Sequence, residues 1–382
     1  MLKVVTIVGT RPEIIRLATT IELLDKYTDH TLVHTGQNYD YELNEVFFEE
    51  LGVRKPDIFL GIDTSSLGTV IGNVIIESEK VFREVRPDAL VLLGDTNSAL
   101  SAIMAKRMKI PIYHMEAGNR SFDRNVPEET NRRMVDHISD FNLPYTEHAR
   151  RNLLDEGIHP RRLYITGSPL AELIAKFRDK IEGSDVLERL ELESGKYFIV
   201  SLHREENVDS NERLRSLIST LNHLASHYDM PIIVSTHPRT RNRLDKMGGV
   251  ELDRRVRDMK PFGYYDYNKL QMNAYCALSD SGTIAEESAM LDFPAVSPRD
   301  AIERPEAIDT GNIVFTGLDR DAIVESIEAV VAIHRERKDF GLPSPMPEAY
   351  DMPNSAERVV KLILGTARLS NQWDGIRTHD HV

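Results

Sequence analysis

The chain reads as two α/β domains, each built on a doubly wound parallel sheet, and three observations carry that expectation. Apolar, β-branched runs alternate with helix-spaced patterns along most of the sequence, as parallel strands joined by helical crossovers require. Runs such as VVTIV (4–8) and LVLLG (90–94) are almost continuously apolar, which suits strands covered on both faces. Around Gly167 the alternation starts again, and 382 residues accommodate two domains of ordinary size.

In the first half, strands are expected at 3–8, 30–35, 89–94, 110–115 and 141–145. Helices are expected near 12–27, 40–51, 67–86, 97–108, 128–138 and 147–156. In the second half the strands fall at 197–203, 231–236, 256–260, 276–281 and 294–298, separated by helices near 211–228, 266–274, 283–291 and 320–336. The join lies near 166–172, giving domains of 1–168 and 169–354. Proline-rich LPSPMPEAYDMPN (342–354) reads as a linker or crossing segment before a last helix at 355–368, and 369–382 as a mobile polar tail.

Composition narrows the function. With 41% hydrophobic and 28% charged residues the chain is globular, and no apolar run nears the roughly 18 residues of a membrane helix. The first residues, MLKVVTIVGTRPE, run straight into a strand and lack the pattern of a signal peptide, so the expected compartment is the cytoplasm. One cysteine, Cys276, excludes an internal disulfide and a cysteine-built zinc site, and its apolar strand makes it a buried small side chain. A formal charge of −14 argues against a broad nucleic-acid footprint, although locally concentrated arginines can still hold an anion.

Doubly wound sheets bind ligands at the carboxyl ends of their strands, so polar residues there are informative. Gly9-Thr10-Arg11-Pro12-Glu13 ends the first strand and opens a helix, where backbone amides and Arg11 suit a phosphate. Neither G-x-G-x-x-G nor G-x-x-x-x-G-K occurs there, which gives no support to a nicotinamide fingerprint or a P-loop. Asp95 in LLGDTNSA serves equally as a helix N-cap or as a chemical group, and Asp-Thr-Asn is no metal-binding pair.

Glu116 follows the apolar run IPIYHM, an unexpected place for a surface carboxylate, and Glu128 opens the next helix. A carboxylate in an enclosed cleft acts as a base, as an acid, or as a stabiliser of a cationic sugar ring. The rival role, an acidic first helical turn worth about 0.3–1 kcal/mol, fits Glu129 better than Glu128. Arg132 shares a face with Glu128 and is either its ion-pair partner or a phosphate ligand.

His203 and His237 end neighbouring strands of the second half. Without further His or Cys at ligand spacing they suit phosphate contact or proton transfer better than a metal, and capping is the plainer alternative. Ser281-Gly282-Thr283 forms a small-residue strand-to-helix turn with the composition of a diphosphate cradle. Glu286-Glu287 follow, and a carboxylate one turn into that helix suits ribose hydroxyls. Tyr264, Tyr265 and Tyr267 offer faces for a base, although such rings more often pack, and Arg299 and Arg304 add positive charge.

The stretches GTRPEIIRLA, TGQ, LLGDTNSAL, HMEAGNR, VPEETNRR, DHISD, SLHREEN, THPR, SDSGTIAEES and ERPEA occur in order from residue 9 to 307. Each is short, but the ordered set resembles the non-hydrolysing UDP-N-acetylglucosamine 2-epimerases over most of the chain. The resemblance implies the GT-B architecture, two facing Rossmann-like domains with the ligand cleft between them and the final helix returning to the first domain. It also implies acid/base roles for Asp95, Glu116 and Glu128 and a catalytic His203. Arg11, Arg132, His237, Ser281, Gly282 and Glu287 match positions that hold UDP, and the neighbouring Tyr267, Thr283 and Arg304 are taken with them. The implied reaction breaks the C1–O bond to UDP and removes the C2 proton, giving a glycal. UDP then adds back as C2 is protonated on the opposite face, without metal or cofactor. A homodimer is implied by the resemblance alone.

Three departures bear on substrate. AGNRSFDRNVP between Glu116 and Glu128 is shorter than in the N-acetylglucosamine enzymes, Arg16 replaces a usual lysine, and Thr283 replaces a usual glycine. They are similar to the branch acting on UDP-linked deoxy-aminosugars, which includes UDP-N-acetyl-L-fucosamine synthases and C2 epimerases of diacetamido uronic acids. The favoured substrate is therefore UDP-2-acetamido-2,6-dideoxy-L-talose, in surface polysaccharide synthesis. A GT-B glycosyltransferase is the nearest rival; a hydrolysing epimerase and a non-catalytic nucleotide-sugar sensor are the others.

Overall fold

Strand pairing follows from the apolar runs. The structure, a computed structural model, describes residues 1–36, 41–123, 125–202, 210–236, 241, 251–300 and 303–376, and of 41–45 the backbone alone. The chain divides into two units, Met1–Lys176 with Asp351–Val382, and Phe177–Tyr350.

The first unit runs β1 (Lys3–Val8), α1 (Arg11–Tyr27), β2 (Asp29–His34), α2 (Tyr41–Leu51), β3 (Ile58–Phe59), α3 (Leu67–Val85) and β4 (Ala89–Leu93). A 3₁₀ turn, Asn97–Ser101, then leads into α4 (Ala102–Arg107), followed by β5 (Ile112–Met115), α5 (Pro127–Ile138), β6 (Phe141–Leu143) and α6 (Glu147–Asp155), and α7 (Pro169–Glu182) begins in the first unit and ends in the second. The six strands pair in the order β3-β2-β1-β4-β5-β6, all parallel. All five residues of β4 and the last five of β1 are buried, because helices cover both faces. Val5, Ile7, Leu90, Leu92 and Ile112 pack with Val74 and Phe82 of α3 and Val135 of α5.

The second unit continues with α8 (Val186–Arg189), β7 (Phe198–Ser201), α9 (Asn211–Tyr228), β8 (Ile232–Ser235), β9 (Val256–Met259), α10 (Tyr264–Asn273) and β10 (Cys276–Ser279). It closes with α11 (Ile284–Leu291), β11 (Ala295–Ser297), α12 (Pro305–Asp309), β12 (Val314–Phe315) and α13 (Arg320–Asp339). Its strand order is β12-β11-β10-β7-β8-β9, again parallel. Numbered from its own first strand, this is the same 3-2-1-4-5-6 order as the first sheet, the Rossmann arrangement. Phe198, Val200, Ile232, Leu278 and Val296 pack with Leu217, Leu221 and Leu224 of α9 and Ile327 of α13. Cys276 is buried in the sheet, and burial pushes its thiol well above the ordinary range. Among the described residues no helix is long and apolar enough to cross a membrane.

Several expectations need correction. The two-residue edge strands β3 and β12 and the helices α7 and α8 were not foreseen, and the helix expected at 97–108 begins as a 3₁₀ turn. The expected mobile tail is structured through residue 376. It follows α14 (Ser355–Thr366), whose Thr366 bonds the buried Tyr113 hydroxyl at 2.7 Å, and contains α15 (Ser370–Trp373). Arg162 donates to Ser370 Oγ at 3.2 Å and Trp373 packs edge-on to Phe141, which fixes this segment against β6.

Candidate functional site

In a sheet of this order the strand sequence reverses on either side of β1 and β4, and again at β7 and β10. Ligands bind outside the carboxyl ends of the strands at such a switch point. In the first unit these ends carry Gly9 to Arg11 and Asp95, with Glu116 beside them on β5.

The turn after β1 is tied down by Glu13, a carboxylate only 1% exposed. Glu13 Oε2 accepts from the Gly9 amide at 3.0 Å and from Thr10 Oγ1 at 2.8 Å, while Oε1 accepts from Ser98 Oγ beyond β4. Burial raises the Glu13 carboxyl above the usual range against the pull of these donors. Glu13 thus joins the two turns that flank the switch point, with Arg11 on one and Asp95 on the other. Gly9 is needed by space, since a Cβ there would lie 2.5 Å from Thr35 Oγ1.

Asp95 receives Nε and Nη2 of Arg132, the former at 3.0 Å, so the aspartate leaving β4 is held from α5. Arg132 is 3% exposed and also donates Nη1 to Glu129 at 3.1 Å. Asn131 Nδ2 donates to the Asp95 carbonyl at 3.0 Å. These bonds show why Asp95 and the VPEETNRR helix belong together: α5 reaches across to brace the end of β4.

Glu116 sits at the end of β5 with φ +61°, a left-handed conformation that a non-glycine residue seldom adopts. It is 9% exposed, pairs with the buried Arg16 guanidinium of α1, and accepts from Asn119 Nδ2 at 3.4 Å.

Of the two glutamates that open α5, Glu129 is the buried one and Glu128 the exposed one. Glu129 is 4% exposed and accepts from the Ser121 amide at 3.0 Å, from Arg132, and from Arg133 Nε at 2.9 Å. It binds the loop after Glu116 to the helix, and the Ser121 amide with Arg133 and Arg132 brings its carboxyl below the usual range despite burial. Glu128 is exposed on the first turn of α5. A helical-turn pattern alone does not separate the two, because it leaves open which side the 116–121 loop covers.

Sequence reasoning assigned no role to His114, Asp136 or Arg120, which lie within HMEAGNR and DHISD. All three are buried and joined. His114 Nδ1 is 2.9 Å from Asp136 Oδ1, and Arg120 Nη1 is 2.7 Å from Asp136 Oδ2. A histidine in the middle of a parallel strand, where both faces are covered, is the signal that could have found them.

At the second switch point Asp280 is buried and its amide donates to the Ser201 carbonyl at 3.1 Å, setting the chain leaving β10 beside the end of β7. In the Ser281-Gly282-Thr283 turn two amides are already engaged: Ser281 N–H donates to Ser279 Oγ at 3.1 Å and Thr283 N–H to Ser281 Oγ at 3.3 Å. Glu287 accepts from Gln271 Nε2 at 2.8 Å, and Arg304, 4% exposed, donates to the buried Glu286 at 3.1 Å. Tyr264 is buried while Tyr265 and Tyr267 are half-buried on α10. His203 and His237 lie outside the described residues.

Known proteins share this architecture over almost the whole chain. The structure of UDP-N-acetylglucosamine 2-epimerase from Rickettsia bellii is 42% identical, with 97% of this chain and 98% of that chain covered and a TM-score of 0.87. The Methanocaldococcus jannaschii UDP-GlcNAc 2-epimerase in complex with UDP-GlcNAc and UDP is 34% identical, covering 95% and 100%, also with a TM-score of 0.87. The UDP-2,3-diacetamido-2,3-dideoxy-D-glucuronate 2-epimerase of Pseudomonas aeruginosa is 34% identical over 330 residues, 85% of this chain and 91% of that protein. The two parallel Rossmann-type sheets place the chain in the GT-B fold class. The family model described as UDP-N-acetylglucosamine 2-epimerase matches residues 22–364, and the chain belongs to that family of isomerases.

Proposed function

We propose that this protein epimerises C2 of a UDP-linked N-acetylaminosugar by eliminating UDP to a glycal and adding it back. The observation that carries this reading is the pair of carboxylates, Asp95 and Glu116, at the ends of the adjacent strands β4 and β5, each paired with a guanidinium. Inverting C2 through a glycal needs proton transfer on two faces of the ring, hence two separate acid/base groups. Glu128 supplies a third carboxylate on the exposed first turn of α5. The leaving UDP needs cationic and amide partners. Arg11, Arg132, His237, Ser281, Gly282, Thr283, Glu287, Tyr267 and Arg304 are the residues proposed to bind it, with His203 as a proton donor or acceptor.

UDP-2-acetamido-2,6-dideoxy-L-talose, converted to UDP-N-acetyl-L-fucosamine for surface polysaccharide, is the proposed substrate. The short loop SFDRNV with Arg16 and Thr283 supports it. The relatives named as UDP-N-acetylglucosamine 2-epimerases favour UDP-N-acetylglucosamine as a second reading, and the Pseudomonas enzyme a diacetamido uronic acid.

Incubation with each UDP-sugar in D2O tests both levels. Deuterium should enter C2 of the accepted sugar without net release of UDP. Sugar transfer to an acceptor without exchange would defeat the epimerase reading, and the sugar that exchanges fastest fixes the substrate. Glu116→Gln and Glu128→Gln should each lose exchange by on the order of 10²–10⁴-fold while binding UDP normally, the range typical of general acid–base groups. Near-normal exchange in either variant would remove that residue from the mechanism.

A further inference from the structure

We propose that His114 and Asp136 are positioning residues that lock the turn bearing Asp95 to the turn bearing Glu116; the proposal rests on the acid/base roles given to those two carboxylates. Glu116 holds φ +61° and Gly118 φ +83°, so the chain reverses sharply as it leaves β5. A left-handed glutamate persists only when its surroundings over-determine it.

Asp136 supplies that constraint from α5. Its Oδ2 accepts from the Gly118 amide at 3.2 Å and lies 2.7 Å from Arg120 Nη1, so the segment following Glu116 is gripped at two points. Oδ1 faces His114 Nδ1 at 2.9 Å, two residues before Glu116 on the strand. Anchored before and after Glu116, the backbone has little freedom to relax.

The same imidazole reaches the other turn. His114 Nε2 is 2.7 Å from the carbonyl of Gly94, the residue before Asp95. A carbonyl only accepts, so Nε2 donates there. Nδ1 faces the Asp136 carboxyl at hydrogen-bond distance. One ring thus bridges the residue preceding Asp95 and the carboxylate that holds the Glu116 turn. His114 and Asp136 are 0% and 1% exposed, so both act from within the protein interior.

Arg120 extends the lock outward. Its Nε and Nη2 donate to Glu156 at 2.8 and 2.6 Å, and its Nη1 to the Asn119 carbonyl at 2.7 Å. Asn152 Nδ2 holds the Gly118 carbonyl at 2.9 Å. Such a network fits a requirement of the proposed chemistry, that two carboxylates keep a fixed separation about one carbon atom. A displacement of about 1 Å in a reacting group can cost about 10²-fold in rate.

The test is steady-state kinetics and C2 deuterium exchange on the full chain carrying Asp136→Asn, His114→Asn or Glu156→Gln. Asp140→Asn serves as a stability control, because Asp140 is likewise a buried carboxylate, 5% exposed. It accepts from the Ile112 amide at 3.0 Å at the opposite end of β5. We expect kcat to fall about 10²-fold for Asp136→Asn and His114→Asn and about tenfold for Glu156→Gln, with KM within about threefold of the parent. Asp140→Asn should lower the melting temperature while leaving kcat within about twofold.

The inference is overturned if the variants keep kcat within about twofold, or if kcat falls in Asp140→Asn as it does in Asp136→Asn. Glu156 lies at the partly exposed edge of the network, so its variant keeps the test decisive if a core variant does not fold. Absence of exchange by the parent protein with every UDP-sugar overturns the epimerase reading, and the positioning role with it. Exchange by the parent and by Asp136→Asn at similar rates overturns the positioning role alone.

Discussion

Gly118 shows how one residue type is dictated by two demands at once. Its φ is +83°, and a Cβ there would stand 2.3 Å from the Ala149 carbonyl and 2.8 Å from Leu153 Cγ. Neither neighbour yields easily, one being helix backbone and the other a buried core side chain. Gly118→Ala should destabilise the protein by at least about 1–3 kcal/mol, read from the urea midpoint, since the strain and the clash add. His34 offers a second residue-scale test. The Gly36 amide donates to its Nδ1 at 2.9 Å, so protonation there would break a bond, and burial pushes the ring down to about 4. The unfolded chain binds this proton near the ordinary value of about 6.5. Stability should therefore fall as pH drops from about 6.5 to about 4, by up to on the order of 3 kcal/mol. The pH dependence of urea unfolding in His34→Asn should lack that fall; an identical profile would exclude His34 as its source.

Elements differ in how much of them is written locally. Helix α6 begins at Thr146, whose Oγ1 accepts from the Ala149 amide at 3.2 Å, a local N-cap. Thr146→Ala should cost about 0.5–2 kcal/mol in urea unfolding. It should also speed hydrogen exchange at the Gly118 amide, because Asn152 of this helix holds the Gly118 carbonyl. The long buried strands were legible because both faces of each are covered, leaving apolar runs such as that of β4. β3 and β12 were not, since two residues give no pattern to read. Helix α7 was legible in principle: Leu170, Leu173, Ile174, Phe177 and Ile181 recur at helical spacing and all are buried. The strand-end positions of Asp95 and Glu116 could be read from where apolar runs stop. Which of Glu128 and Glu129 is buried could not, because adjacent residues on a first turn differ only in which neighbour the tertiary fold brings to them. His114 and Asp136 were hidden for a related reason, as their bond joins residues 22 positions apart.

At the scale of the whole molecule, the chain lays down the same strand order twice and puts its small and charged motifs at both switch points. The first unit gathers arginine-held carboxylates, while the second presents a turn of small residues beside β7. This division was visible as a restart of the alternating pattern, whereas the return of the final helix to the first unit was implied by the family resemblance alone, because a proline-rich segment carries no mark of its destination. Trp373 belongs to that returning segment, and it is the one tryptophan in the sequence. Its indole lies 4.5 Å from the Arg161 guanidinium, against Phe141 of β6. The intrinsic emission of this enzyme is therefore a natural optical probe of its first unit: excitation at the indole band follows how the C-terminus seats on β6, while far-ultraviolet circular dichroism follows the backbone of both sheets together.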